Sequence, residues 1–267
     1  MSIRMTTAEA IAYPKPSLFS KVAARLRVIY LAATTIMTLT LGMLAVFIVS
    51  VLTLGLAKNW ITSHMGRAIG YTVLWFAGVK LKIEQIGEAV KQPAIYIANH
   101  SSTLDIFIIV ALGLPAVRFV AKYELMYNPL FAVMGLLTGQ IFIKRQDSAA
   151  AIAAINRAYE RIRKQRLSLF MAPEGTRITG GQIGQFKKGA FRMAVDLKYP
   201  VVPIHFAGAR QLCPGKTFVV NPGAVYARFY SPIDTSAWTP ENLDEQVEKT
   251  RGDYVRWERE FETHAQK

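Results

Sequence analysis

Two regimes of hydrophobic patterning divide the chain. From Val28 to Ala57 thirty positions pass without a charged residue, whereas from Val79 onward short apolar runs alternate with amphipathic stretches. A helix needs about 20 apolar residues to cross a bilayer, so the first run suffices for one tilted span. It is too long, and begins too late, for an ordinary signal peptide. Ahead of it lie Pro14, Pro16 and the cations Lys15, Lys21, Arg25 and Arg27, which read as a short interfacial segment. Behind it, Trp60, Ile61, Met65, Ala68, Ile69, Val73 and Phe76 recur at helical spacing. That stripe either docks on the rest of the protein or places Trp60, Tyr71 and Trp75 at headgroup level.

From Val79 the pattern predicts strands at Leu81–Ile86, Ala94–Ala98, Val117–Ala121, Gln140–Ile143, Leu167–Met171, Val201–Phe206 and Val225–Tyr230. Helices are expected at 104–112, 129–137, 148–165 and 187–198. Such alternation argues for an α/β domain with a mixed, at least partly parallel sheet flanked by helices, whose ligand site lies at strand ends. The helix after Ser148 would bury Ile152, Ile155, Tyr159 and Ile162 and show Arg157, Arg161, Arg163 and Lys164 outward. A last helix opens at Thr239-Pro240 and carries an apolar line of Leu243, Val247, Tyr254, Trp257 and Phe261, with no chemistry assigned to it. The divisions expected are therefore a membrane-embedded helical segment over 1–78, an α/β domain over 79–239 and a packing helix over 240–267.

Charge narrows the class of partner. The formal net charge is +14, yet residues 240–267 hold eight acidic and five basic residues, so the remainder carries 27 basic against 10 acidic. A body this basic suits a nucleic acid, a membrane surface or a phosphorylated substrate, and the apolar N-terminus favours the last two. Cys213 is the one cysteine, which excludes an internal disulfide and any multi-cysteine metal site. His64, His100, His205 and His264 have no metal-ligand spacing. Neither metal nor cofactor is expected, and no nucleic acid partner.

The candidate chemistry centres on Ile95–Ile109, IYIANHSSTLDIFII, where two apolar runs enclose His100 and Asp105. On one continuous helix, residues five apart point about 140° from each other, so the pair needs a turn to meet. Ile95 and Ile97 suit a buried strand, Ser101 to Thr103 are helix N-cap residues, and Leu104 begins an apolar helix. Asp105 in the first helical turn would then fold back on the imidazole, fixing its tautomer and leaving the other nitrogen as a base. The plainer alternative is a strand-end histidine beside an acidic residue favoured by the helix dipole.

A second knot is APEGTRI, Ala172–Ile178. Gly175 lets the backbone approach a ligand closely, Arg177 offers a planar fork for phosphate, and Thr176 adds a hydroxyl donor. Glu174 would repel a phosphate, so its expected work is to hold Arg177 or bond the acceptor's hydroxyl side. Lys187 and Lys188 follow in FKKGAFR, near a helix N-terminus that itself favours anions. Alternatively the segment is a solvated basic turn.

Together these blocks resemble the family of 1-acylglycerol-3-phosphate (lysophosphatidic acid) acyltransferases, over about residues 79–232. NHSSTLD fits the first family block, N-H-x-x-x-x-D. Lys122, Leu125 and Pro129 with Gly139–Ile143 and Arg145 fit the second, PEGTR fits the third, and Val201–Ile204 resembles the fourth. Ala172, Ile178, Lys144 and Ala132 depart from the usual residues, which bears on acceptor identity and leaves His100, Asp105, Glu174, Gly175 and Arg177 in place.

The resemblance implies that His100 acts as general base on the free hydroxyl of a lysophospholipid while Asp105 holds the imidazole. The acyl donor would be acyl-CoA or acyl-carrier protein and the product phosphatidic acid. Glu174, Gly175, Thr176, Arg177, Lys122, Arg145 and Lys187 would bind substrate, and backbone N–H groups at the start of the 104 helix would serve the oxyanion. Ser101 and Ser102 invite a covalent reading but lack the GxSxG turn. Because such donors are cytosolic, the active site belongs on the cytoplasmic face of a membrane, as of a bacterial inner membrane, in contact with membrane lipid. A basic N-terminus also predicts a cytoplasmic start, so residues 28–57 are expected to form a hairpin bending near Gly42, with two arms of about 14 residues, or a membrane-embedded helix pair. Another lyso-lipid acceptor, such as a lyso-aminolipid, is the alternative; a lipid hydrolase or a non-catalytic membrane adaptor stands further off.

Overall fold

A computed structural model describes residues 18–91, 93–143, 149–178, 180, 182–214 and 219–265. Helix α1, Leu18–Leu52, runs through Gly42 without a break. The expected hairpin at Gly42 is therefore absent. One glycine costs a helix only about 1 kcal/mol relative to alanine, too little to interrupt an apolar run of this length. Gly42 serves contact instead, since a Cβ there would stand 2.6 Å from Ile69 Cδ1. The chain reverses ten residues later, where Leu54 and Gly55 take φ of 49° and 73° and Gly55 N donates to the Ser50 carbonyl at 2.8 Å. It then returns through α2 (Lys58–Trp60), a π turn (Ile61–Met65) and α3 (Gly66–Phe76). The return is antiparallel: near the start of α1, Arg27 Nη2 donates to the Ala77 carbonyl at 3.1 Å and Tyr30 meets Phe76 edge to face.

Seven strands follow, at every position the alternation predicts: β1 (Val79–Gln85), β2 (Ile95–Ala98), β3 (Val117–Lys122), β4 (Ile141–Ile143), β5 (Ser168–Met171), β6 (Val201–Ala207) and β7 (Gly223–Phe229). They form one sheet of order β1-β7-β6-β2-β5-β3-β4. Every pairing is parallel except β6 with β7. A parallel strand is covered on both faces, and all four residues of β2 are buried. Tyr96 and Ala98 join a core with Leu74, Ile108 and Ala111, beneath α3 and α4 (Asp105–Ala111). Ile95 and Ile97 join the other core, with Ile162, Phe191 and Tyr254. That second face carries α6 (Ala149–Lys164), α7 (Gly189–Leu197) and α9 (Leu243–Ala265), while α5 (Pro129–Thr138) leads into β4 and α8 (Ala209–Leu212) follows β6.

The last helix starts at Leu243, three residues after Pro240. Asn242 Oδ1 accepts the Thr239 N–H at 2.9 Å, holding the intervening residues in a turn. Leu243, Val247, Tyr254 and Trp257 are buried as their spacing predicts. On the opposite surface α1 lies bare: its span Arg25–Leu52 is long and apolar enough to cross a membrane, and 11% of the most apolar window is buried. Buried core helices show the reverse.

Candidate active site

Topology brings the separated blocks together. In a mostly parallel sheet the ends of neighbouring strands share one edge, and β2, β5 and β3 lie side by side. His100 follows β2 by two residues, Pro173–Arg177 follow β5, and Lys122 closes β3, so all three blocks open on the carboxyl edge.

Asn99 ends β2 by substituting side chain for backbone. Its Nδ2 donates to the Phe206 carbonyl at 3.0 Å and its Oδ1 accepts the Phe206 N–H at 2.8 Å. The chain then turns, and Asp105 opens α4. Its Oδ2 accepts from Ser101 N at 2.7 Å, Ser102 N at 2.8 Å and His100 Nδ1 at 2.9 Å. A carboxylate oxygen with these neighbours can only accept, which places a proton on Nδ1 and leaves Nε2 as the basic nitrogen. Asp105 is buried, whereas the His100 side chain is 21% exposed, enough to meet a substrate.

Two local expectations change. No side-chain cap from Ser101–Thr103 closes the helix in the expected manner; Asp105 satisfies the preceding N–H groups from inside, and Ser102 Oγ accepts the Leu104 N–H at 3.1 Å. With Ser101, Ser102 and Leu104 N–H groups bonded within the turn, those three are not available to an oxyanion. Ser102 is fully buried and donates to the Cys213 carbonyl at 2.8 Å, which removes it as a nucleophile.

The PEGTR loop docks on this turn. Gly175 takes a φ of 70° and its N–H donates to the Ala172 carbonyl at 3.0 Å, a conformation that favours glycine. Arg177 is exposed, and its Nη1 donates to Thr103 Oγ1 at 2.7 Å, one residue before Leu104. Ile178 N donates to the His100 carbonyl at 2.9 Å. Lys187 Nζ lies 3.2 Å from where a Cβ on Gly175 would be, and its backbone N–H bonds the Pro173 carbonyl at 2.8 Å. Arg177 and Lys187 thus flank one loop beside His100. Thr176 is exposed on that loop, and Lys188 pairs with Asp244 at 2.7 Å. Arg145 and the side chain of Lys122 lie outside the described residues.

Glu174 departs from its expected work. It neither holds Arg177 nor faces solvent; it is 3% exposed, accepting the His100 N–H at 2.6 Å through Oε2 and the Gly184 N–H at 2.9 Å through Oε1. Burial raises its pKa, opposed by those two bonds. The 180s loop is held in turn by α9, where Arg251 donates Nε to the Gly184 carbonyl at 2.8 Å and Nη2 to the Ile183 carbonyl at 3.2 Å. From the same helix Tyr254 Oη donates to the Ile97 carbonyl at 2.8 Å and accepts the Ile204 N–H at 3.1 Å. The packing helix therefore braces β2 and, through Glu174, the backbone of His100. Sequence reading placed Tyr254 on the buried line of this helix but missed its backbone bonds and those of Arg251, which no spacing along one helix reveals.

Beside the loop opens a groove of about 770 Å³, lined by Val120, Ile155, Met171 and Met193 together with the polar Asn156, Tyr159, Lys187, Arg192 and Asp196. Its volume is within the range of ligand sites.

Known acyltransferases are similar to the chain in sequence and in fold. The family model described as Acyltransferase matches residues 80–207. Over 191 residues the chain is 37% identical to the 1-acyl-sn-glycerol-3-phosphate acyltransferase of Limnanthes douglasii, covering 72% of this chain and 68% of that one. The Haemophilus influenzae enzyme of the same name is 30% identical over 202 residues, covering 71% of this chain and 81% of its own. In fold, the chain is similar to the crystal structure of the 1-acyl-sn-glycerophosphate (LPA) acyltransferase PlsC from Thermotoga maritima. The TM-score is 0.72 at 23% identity, over 88% of this chain and 96% of that one.

Proposed function

The chain belongs to the family of 1-acyl-sn-glycerol-3-phosphate acyltransferases, and from that premise we propose how its own residues carry the transfer. It is an O-acyltransferase that acylates a lysophospholipid acceptor from an acyl donor, forming phosphatidic acid. The observation that carries the mechanism is the turn itself: His100 Nδ1 on Asp105 Oδ2 at 2.9 Å, with Arg177 bonded to Thr103 in the same turn.

In this reading His100 Nε2 takes the proton of the acceptor hydroxyl as its oxygen attacks the thioester carbonyl carbon. Asp105 stabilises the imidazolium that forms. The tetrahedral intermediate collapses, the C–S bond breaks, and the departing sulfur takes the proton back from Nε2. The acceptor hydroxyl is the nucleophile, so no acyl-enzyme is formed. Arg177 and Lys187 hold the acceptor phosphate, with Lys122 and Arg145 assigned to the same role. Gly175 and Thr176 shape the loop between them, and Glu174 positions His100 without touching substrate. The groove beside Lys187 receives an acyl chain.

Acyl-CoA or acyl-carrier protein supplies the acyl group, and membrane lipid surrounds the N-terminal helices. Both ends of the helical hairpin bond the α/β domain, Arg27 at the Val220 carbonyl and Asn59 at Arg118, which supports N-terminal helices that lie along one face of a membrane instead of crossing it. Residues 1–78 then anchor the 79–239 catalytic domain, with 240–267 as its brace, on the cytoplasmic face of a membrane such as a bacterial inner membrane.

The test is product mass from purified protein given a panel of lyso-lipids with acyl-CoA or acyl-carrier protein. Phosphatidic acid is the expected product, and free fatty acid released without acceptor would indicate a hydrolase instead. His100→Ala should lower kcat by about 10² to 10⁴ while leaving lysophosphatidate binding nearly unchanged; substantial residual turnover sinks the assignment.

A further inference from the structure

At the opposite edge of the sheet a second group of cations gathers around Gly139, two residues before β4. Arg118, near the start of β3, is 2% exposed, with Nη1 on the Val117 carbonyl at 2.8 Å and Nη2 on Asn59 Oδ1 at 2.7 Å. Arg161 of α6 donates Nη2 to the Gly139 carbonyl at 2.9 Å. The stem of Lys58 passes the same glycine: a Cβ there would stand 3.5 Å from Lys58 Cδ and 3.4 Å from Arg118 Nε. These residues come from the helical hairpin, the third strand and the sixth helix, so only the folded chain assembles them.

Among the described residues none of the three forms an ion pair with a carboxylate. The charged neighbour of Arg118 is Arg161, and burial together with that repulsion lowers its pKa to about 10. Burying a guanidinium without an opposite charge is strongly unfavourable, and partners or ligands normally offset it. The surroundings indicate which ligand. Leu54 and Leu56 in the hairpin turn are 87% and 88% exposed, Trp60 is 50% exposed, and Leu136, three residues before Gly139, is 67% exposed. Apolar side chains next to uncompensated cations match an amphiphile with an anionic head.

We propose that Lys58, Arg118 and Arg161 form a second phosphate-binding site, in which Lys58 and Arg161 contact the anion and Arg118 supplies field from beneath. Its ligand chemistry is a phosphate group, borne by a lipid headgroup or free. It is separate from the catalytic edge, because Arg118 and Lys122 lie near opposite ends of β3, about 13 Å apart at 3.3 Å per residue.

The experiment measures the thermal midpoint of the full-length protein in neutral detergent against inorganic phosphate, dihexanoyl phosphatidate and dihexanoylglycerol. It uses an Arg177→Ala/Lys187→Ala/Lys122→Ala/Arg145→Ala background, so that the cations assigned to the catalytic edge are removed. A saturable rise with phosphatidate is expected, weakened about tenfold or more by Lys58→Ala/Arg161→Ala. The charge-matched Lys80→Gln/Lys249→Gln control should keep it. An equal response to inorganic phosphate assigns the site to a free anion, and a response to phosphatidate alone assigns it to a headgroup. Arg118→Met should lose the response and raise the midpoint in anion-free buffer; should it fail to fold, the Lys58/Arg161 pair carries the test. Unchanged binding in Lys58→Ala/Arg161→Ala, equal loss in the control, or equal stabilisation by dihexanoylglycerol overturns the proposal.

Discussion

Glu174→Gln tests whether this carboxylate positions the histidine or touches the acceptor. In the folded chain its two oxygens accept two backbone N–H groups, from His100 at 2.6 Å and Gly184 at 2.9 Å. A glutamine offers one oxygen and turns an NH₂ toward the other donor, so one bond is lost and two donors face each other. A charged hydrogen bond is worth about 1.5–3 kcal/mol and an unsatisfied buried donor costs about 1–3 kcal/mol, so the loss is roughly 3–5 kcal/mol. At about 2–4 °C per kcal/mol for a domain of this size, the thermal midpoint should fall by roughly 6–20 °C. Because His100 N is one of the donors, the ring shifts, and misplacement of about 1 Å costs on the order of 10² in rate. Steady-state kinetics should therefore show kcat reduced about 10- to 100-fold with KM for lysophosphatidate nearly constant. An increased KM with kcat and thermal midpoint unchanged would refute the positioning role and restore Glu174 to the acceptor.

The same substitution has a signed pH signature. Burial raises the pKa of Glu174 above its ordinary value of 4.5, so the folded state binds more protons than the unfolded state. Stability from this group is then fully present below about pH 4.5 and lost as pH rises through the folded value. Glu174→Gln should flatten that part of the stability–pH curve, measured by denaturant unfolding from about pH 4 upward. An unaltered slope would mean that the folded chain does not perturb this carboxyl.

Three further substitutions separate support from chemistry. Arg251→Met removes both bonds to the 180s loop and should lower kcat several-fold with little change in KM; a rate equal to wild type would show that the α9 brace does not reach His100. Ser102→Ala should cost about 1–3 kcal/mol through the lost buried bonds yet retain acyl transfer, measured by unfolding and product mass together. Gly42→Val drives a side chain into Ile69 and should cost about 1–3 kcal/mol by overpacking, loosening α1 from α3; an unchanged thermal midpoint would mean that the two helices do not pack there.

What could be read from the chain was local. Alternation placed all seven strands, and Ile95 and Ile97 marked a buried one. A turn between His100 and Asp105 followed from helical geometry, since residues five apart cannot meet on one helix. The errors have a common physical origin in distance along the chain. Gly42 looked like a bend because its partner, Ile69, belongs to a helix not yet placed, and a glycine marks close approach as readily as a turn. Glu174 looked like a surface acid beside Arg177 because the donors that claim it, at His100 and Gly184, come from two other loops. Arg251 and Tyr254 sit on a helix whose apolar spacing explains its burial and conceals that its polar atoms reach the backbone of β2. Arg161 read as an outward cation and neither Lys58 nor Arg118 stood out, and only the strand order that sets β3 beside β4, under the hairpin turn, leaves them sharing one glycine with no counterion among the described residues. Short-period patterns thus place elements, whereas clamps and charge deficits arise from pairings between elements, which a single sequence leaves open until the sheet order is fixed.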